Sequence, residues 1–165
     1  TGDLVRINAG YLQAITTVTE IAQGIFQGVR YTENGEQKFG KYWPSGTSAT
    51  DIYAMVNDDP STVFEVQADA SVTAGDLYGS QNFGVTLGAG STFTGISGHG
   101  IEAALRSSRI AMVRALDPVT EPGNDVASAT ERAFLKLNVR IIQHTDMFMD
   151  CAVTAPATVT DLIFT

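Results

Sequence analysis

The sequence predicts an all-β fold made of two small barrel-like units with very little helix. Three observations support this prediction. Apolar and polar residues alternate with a period of two in several short runs, most clearly over residues 134–144. Glycine is abundant, with 16 residues, while charged residues make up only 17% of the chain. No long stretch shows a helical period of 3.6 residues, so short strands joined by tight turns are favoured.

The N-terminal part is predicted to begin with three strands, over residues 4–7, 11–15 and 22–31. The dipeptide Asn34-Gly35 then gives the strongest local signal, because both central positions of a type I′ turn need a positive φ angle. It predicts a hairpin that pairs residues 29–32 with residues 37–40, in which Glu33 and Glu36 face each other.

The rest of the chain is predicted to continue as short strands. Residues 51–56 and 62–68 are expected to form a second hairpin around residues 57–60. The Gly- and Thr-rich stretch 79–100 also favours short strands, because apolar residues recur in it every few positions. Residues 101–105 are predicted to form one helical turn at most. Further strands are expected over residues 109–116 and 134–144.

A short internal repeat suggests how these strands are divided. The sequence Thr1-Gly2-Asp3-Leu4 recurs as Ala74-Gly75-Asp76-Leu77, and each Gly-Asp-Leu turn is predicted to start a strand. Two fused units can share a core that one alone is too small to form. We therefore predict a first unit over residues 1–70, a second over residues 71–150 and an extended tail over residues 151–165. One compact domain is the alternative.

Composition and charge exclude several kinds of partner. The formal net charge is -8, and residues 42–105 contain no Lys or Arg. A surface built from this stretch repels phosphate, so we expect no nucleic-acid partner. No stretch approaches the ~20 apolar residues that cross a bilayer, so we expect no membrane partner. Cys151 is the single cysteine, and packing rather than an intrachain disulfide must stabilise the fold.

No pattern of chemically active residues predicts an enzyme. His99 and His144 are the only histidines, and neither has the spacing of a metal-ligand motif. His99 follows Ser97-Gly98, without a second catalytic motif, and is predicted to lie at a loop tip. The Asn57-Asp58-Asp59 sequence is interpreted as a turn, with calcium binding as the weaker alternative. We therefore predict no catalytic residues, no cofactor and no metal site.

Five stretches of the chain form a recognisable set of turns and strands. They are residues 24–31 (GIFQGVRY), 41–44 (KYWP), 57–69 (NDDPSTVFEVQAD), 75–77 (GDL) and 137–141 (LNVRI). Together they resemble the decoration (cement) proteins of tailed-bacteriophage capsids. The resemblance implies a β-rich structural protein, commonly a trimer, on the outer capsid surface of the virion. It would be made in the host cytoplasm and bind the major capsid protein, stabilising contacts between neighbouring capsid subunits.

Two other functions stay open from the sequence. The chain could be another virion component, such as a head–tail connector or tail protein, or a carbohydrate-binding β module that stacks sugars on Tyr31, Tyr42 and Trp43. For assembly we predict a homotrimer whose apolar tail contacts a neighbouring subunit or the capsid. The alternative is that the tail completes its own barrel as a last strand. The predicted interface residues are Val159, Leu162, Ile163 and Phe164.

Overall fold

The predicted all-β fold is confirmed by the computed structural model, which describes residues 1–44, 46–79, 81–105 and 111–145. Of these residues, 48% lie in strands and 7% in helix. The strands form two antiparallel sheets of five strands each. Neither sheet closes into a complete barrel.

The first sheet is organised around its third and longest strand, β3. This strand pairs with β1 at its start and with β4 over its second half, while β5 pairs along the opposite edge. The remaining strand, β2, pairs with β1. The strands are β1 (Leu4–Asn8), β2 (Tyr11–Ala14), β3 (Gly24–Glu33), β4 (Glu36–Gly40) and β5 (Thr50–Asn57).

The hairpin between β3 and β4 confirms the prediction made from Asn34-Gly35. Both turn residues have positive φ angles, 53° and 80°. The predicted register is also observed, and Glu33 lies opposite Glu36. Lys38 offsets the repulsion between these two carboxylates, because its Nζ lies 2.6 Å from Glu33 Oε2.

The second sheet has the strand order β6-β10-β9-β7-β8. A single parallel bridge between Ala68 and Ile101 links its two outer strands. Asp69 strengthens this link, because its carboxylate accepts hydrogen bonds from Thr86 Oγ1 (2.7 Å) and the Ala103 backbone N–H (2.9 Å). The strands are β6 (Phe64–Gln67), β7 (Asn82–Gly88), β8 (Gly98–Leu105), β9 (Val113–Pro118) and β10 (Lys136–Ile141).

Two clusters of buried side chains hold the sheets together. The larger cluster contains 16 buried residues, half of them in strands of the second sheet, and the smaller contains Val5, Phe26, Val29 and Tyr31. Successive residues of a strand point to opposite faces, so Leu4 enters the larger cluster while Val5 enters the smaller one. β1 therefore lies between the two cores and joins them.

The predicted hairpin between residues 51–56 and 62–68 is wrong. Both segments contain strands, but β5 pairs with β3 and β6 pairs with β10. The connecting loop is held by its own side chains: Asn57 Oδ1 accepts the Asp59 N–H, and Asp59 Oδ1 accepts the Ser61 N–H. The sheets therefore divide between β5 and β6.

Two further predictions are wrong: the second Gly-Asp-Leu turn does not start a strand, and residues 101–105 do not form a helical turn. Gly2 and Asp3 lead into strand β1, whereas Gly75 and Asp76 belong to a short helix, α1 (Ala74–Gly79). Thr73 caps this helix: its Oγ1 accepts the Asp76 N–H, and Asp76 Oδ2 accepts the Thr73 N–H in return. Residues 101–105 form part of β8 because they pair with β7.

The second helical element is a 3-10 helix, Glu131–Phe134, just before β10. After β10, Thr145 and Gln143 form backbone hydrogen bonds to Ala22, so the chain returns to the first sheet. The predicted extended tail, residues 151–165, lies outside the described residues. In the described part of the chain, no helix has the length and apolar character needed to cross a membrane.

Candidate functional site

The clearest concave feature of the described residues is an apolar cavity of about 330 Å³ between the two sheets. Its volume is at the lower end of the range found for small-molecule sites. The polar residues that line it include Ser97 and His99. Most of the wall is aliphatic, including Leu4, Ile25, Val85, Val113, Val139 and Ile141.

His99 lies beside this cavity and not at a loop tip, so the prediction for its position is wrong. It is the second residue of β8, and its side chain is only 10% exposed. The backbone N–H of Leu4 in β1 donates a hydrogen bond of 3.1 Å to His99 Nδ1. The imidazole therefore connects the first sheet to the second.

These contacts determine the protonation state of His99. Because Nδ1 accepts a hydrogen bond, the neutral ring carries its proton on Nε2. Burial lowers the pKa of His99 below its usual value, and the charge of Asp3 opposes this effect to a smaller extent. The neutral form is therefore favoured in the folded protein.

Ser97, His99 and Asp3 come together, but their hydrogen bonds differ from those of a catalytic triad. The Ser97 hydroxyl donates to Asp3 Oδ1 at 2.6 Å, while Ser97 Oγ accepts the backbone N–H of His99 at 3.0 Å. The Nε2 atom of His99 lies 3.7 Å from the same Asp3 oxygen. A triad instead requires the histidine to accept the serine proton. This cluster supports an interaction between sheets and not activation of the serine.

The three aromatic residues considered for sugar stacking do not form a flat platform. Tyr31 belongs to the smaller buried cluster, and its ring meets Trp43 edge-on, at an interplanar angle of 77°. Trp43 and Tyr42 are partly exposed beside the N-terminal segment. Only two of the three rings are therefore accessible, and the buried face of Tyr31 supports packing instead.

The acidic loop after β5 uses its oxygen atoms internally. Asp59 accepts hydrogen bonds from the Ser61 backbone and from Thr62 Oγ1, as expected for a turn. Within the described ranges, no group of three or more His, Cys, Asp or Glu side chains is arranged to hold a metal ion.

The most prominent surface feature is an apolar area on the first sheet. Nine of the fifteen exposed large hydrophobic residues of the described chain lie within residues 1–57. On one face of the sheet, Tyr53, Arg30 and Phe39 lie side by side across β5, β3 and β4. The Arg30 guanidinium lies 4.5 Å from the centre of the Tyr53 ring. We call this face, defined by Arg30, Phe39, Tyr53 and Met55, the outer face.

The outer face was not predicted from the sequence. A signal was present, because residues 52–56 are five consecutive apolar residues in a predicted strand with no alternation. Such a run suggests a strand buried on both faces, yet β5 is exposed over six consecutive residues. The predicted interface residues Val159, Leu162, Ile163 and Phe164 lie outside the described residues.

Comparison with known proteins gave no match to a family model, a curated protein or a solved structure. The resemblance to capsid decoration proteins therefore stays a prediction from the residues.

Proposed function

We propose that this protein is a structural decoration protein that binds the outside of a phage capsid and stabilises neighbouring capsid subunits. The observation that carries this proposal is the outer face of the first sheet, where Phe39 and Tyr53 are more than half exposed. Large exposed apolar areas on soluble proteins commonly mark protein–protein contacts. The major capsid protein is the proposed partner.

The distribution of charge is consistent with this role. A net charge of -8 favours solubility and disfavours competition for packaged DNA. On the outer face, Arg30 is the central cation, stacked on Tyr53. A mostly apolar contact with one cation at its centre is typical of a specific protein interface. A closed homotrimer would present three such faces and multiply a modest contact.

Other virion locations remain the second candidate. A head–tail connector or tail protein would also use exposed sheet surface, and the same outer face would then bind a different virion subunit. The location of binding separates these possibilities. A carbohydrate-binding role has less support, because the rings of Tyr31 and Trp43 are perpendicular.

The test is binding of the purified protein to expanded capsids that lack it. We expect co-sedimentation that saturates at a fixed ratio to the major capsid protein, with density on the outer surface in electron microscopy. The double variant Phe39→Ser/Tyr53→Ser should bind at least about tenfold more weakly, because one buried side chain contributes about 1.5–3 kcal/mol. Phe93→Ser is the matched control, because Phe93 is 97% exposed and belongs to the loop between β7 and β8, not to the outer face.

Two results would contradict the proposal. One is failure of the unmodified protein to bind such capsids at any concentration tested. The other is binding confined to the vertex that carries the tail, which would favour the connector function. Equal weakening by Phe93→Ser and by the double variant would show that the outer face is not the contact.

A further inference from the structure

The free edge of β5 is an unusual feature of the first sheet. β5 pairs with β3 on one side, and no described strand pairs with its other side. Residues 50–55 are all exposed. An edge of this kind presents unpaired backbone N–H and C=O groups that can accept a further strand.

The other outer strands of this sheet are better protected. β4 carries Glu36 and Lys38 within five residues, and charged side chains of this kind discourage pairing. β2 has only four residues. β5 is eight residues long and contains neither Lys nor Arg nor Pro. Its pairing with β3 is irregular at two points, between Phe26 and Gly28 and between Arg30 and Thr32, and Asp51, opposite the second, has a φ angle of 50°.

We propose that the free edge of β5 accepts residues 159–164 of a neighbouring copy as an added strand. The inference rests on the proposed function, because it names the partner surface for the assembly of that protein. The apolar character of both β5 and the tail segment supports this proposal. Ile52 and Tyr53, on opposite faces of β5, are each about half exposed. An added strand carrying Leu162, Ile163 and Phe164 would cover apolar surface on both faces.

Charge also agrees with this arrangement. Asp161 is the only charged residue of the segment. A strand alternates its faces, so Asp161 shares a face with Val159 and Ile163. If that face lies beside Tyr53, the carboxylate approaches the Arg30 guanidinium, which is stacked on that ring. The opposite face, with Leu162 and Phe164, then covers Ile52.

The length of the chain allows this contact between copies. Twenty residues follow Thr145, which is itself anchored to Ala22 next to the first sheet. The 13 residues before Val159 can span roughly 40 Å when extended. A domain of this size has a radius of gyration of roughly 15 Å. The segment can therefore reach a neighbouring copy across the full width of one domain.

Disulfide trapping tests the proposal directly. Cys151 is the only cysteine, so Cys151→Ser gives a cysteine-free background for single-cysteine variants. One chain carries Ile52→Cys, and a second, size-tagged chain carries Leu162→Cys, Ile163→Cys or Phe164→Cys. The chains are co-expressed and oxidised mildly. Adjacent strands bring Cα atoms to about 4.5–5.5 Å, which permits a disulfide.

We expect a mixed disulfide between tagged and untagged chains for at least one tail position. Ile7→Cys is the matched control, because Ile7 is similarly exposed in the same sheet but lies in β1, away from β5, and pairs with Leu12 of β2. This control should give no mixed product. In parallel, Ile52→Lys should weaken self-association at least about tenfold, and Ile7→Lys should leave it unchanged.

Three outcomes would overturn the inference. A disulfide found only within a single chain carrying both cysteines would show that each copy covers its own edge. A disulfide between two Ile52→Cys chains would show that β5 pairs with β5. The third outcome is that no disulfide forms although deletion of residues 154–165 abolishes the oligomer. This would show that the tail binds a surface other than the edge of β5.

These outcomes are distinct from failure of the proposed function. Mixed disulfides in an oligomer that does not bind expanded capsids would support the inference and contradict the decoration role. If the cysteine variants bind capsids but never form the mixed disulfide, the decoration role would be supported and the inference contradicted.

Discussion

The two sheets are built from the same number of strands but differ in how much core they bury. The cluster centred on the second sheet contains 16 buried residues, including Phe83, Leu77 and Met112. The cluster of the first sheet contains four. Most of the exposed large hydrophobic residues of the described chain lie in the region of the first sheet. We therefore expect the second sheet to supply most of the stability, while the first sheet leaves more large apolar side chains exposed.

The contacts between the sheets explain how the first sheet can have so small a core. Leu4 is inserted into the larger cluster, and its backbone N–H is bound by His99 of β8. The first sheet is thus held by the core of the second sheet as well as by its own. Because it does not depend only on its own small core, it can expose side chains that a free-standing sheet would need to bury.

The largest expected effect is the loss of a large side chain from the second sheet. Phe83→Ala should lower the free energy of unfolding by about 3–5 kcal/mol, because Phe83 is fully buried and leaves a cavity. Phe26→Ala, the same change in the small cluster, should cost clearly less. Urea unfolding measures both, with Phe93→Ala as the exposed control. An equal loss of unfolding free energy for Phe83→Ala and Phe26→Ala would contradict the expectation that the second sheet supplies most of the stability.

A second prediction concerns a buried polar group beside β10. Asn124 Nδ2 donates to the carbonyls of Val119 and Lys136, and its Oδ1 accepts the Lys136 N–H. Asn124→Ala should cost about 1–3 kcal/mol, because the Lys136 N–H loses its partner in a buried site. Asn8→Ala, which removes an exposed hydrogen bond to Gln13 in the first sheet, should change stability by less than about 0.5 kcal/mol.

The same urea unfolding measurement checks both asparagine variants. A loss for Asn8→Ala as large as that for Asn124→Ala would show that surface hydrogen bonds of the first sheet contribute more than its small core suggests.

The β3–β4 turn gives a smaller expected effect. Gly35→Val should destabilise the protein by about 1 kcal/mol or more, because Gly35 has a φ angle of 80° that a β-branched residue resists. Thr32→Val, which changes a strand residue of the same hairpin, is the control and should be nearly neutral. Thermal unfolding provides the measurement, and an unchanged midpoint for Gly35→Val would contradict the turn.

The smallest predicted effect is a dependence on pH through His99. Its pKa is lowered in the folded protein, chiefly by burial, so the unfolded chain binds the proton more readily. Stability is therefore fully present above the ordinary histidine value of about 6.5 and declines as the pH falls through the lower folded value. Protonation also places a hydrogen on Nδ1, which ends the bond from Leu4.

Unfolding measured between about pH 7 and pH 5 should show this decline in the unmodified protein, and a reduced slope in His99→Gln. The carboxylates also titrate toward the acidic end, so the difference between the two proteins is the relevant quantity. The same slope in both would show that His99 does not link the sheets in this way.

The features predicted most reliably from the sequence are those that neighbouring residues determine. Asn34-Gly35 determines its own turn, and the turn then sets the pairing of β3 with β4. The Thr73–Asp76 capping pair was equally local and was overlooked, because the neighbouring glycines Gly75 and Gly79 suggested a turn. The three-residue spacing between Thr73 and Asp76 is that of a capping pair and indicates the start of a helix.

Pairing between distant strands could not be predicted in this way. Residues 51–56 and 62–68 are adjacent in sequence, yet β6 pairs with a strand about 70 residues later. The position of His99 likewise depends on Leu4, which is 95 residues away. A period-two pattern indicates which residues share a face but not which strand is the neighbour. The outer face was missed for the same reason, because an apolar run does not show whether anything covers it.

The hydrogen bonds between Asp3, Ser97 and His99 also have a consequence for the order of folding. Ser97 and Asp3 are 94 residues apart, so their contact closes a long loop. Forming such a contact costs chain entropy before it brings any stabilisation, and proteins dominated by distant contacts fold slowly. During synthesis, β1 emerges from the ribosome long before β8 can bind it. The apolar side chains of the first sheet that pack against the second sheet, such as Leu4, therefore stay exposed until the second half of the chain has been made.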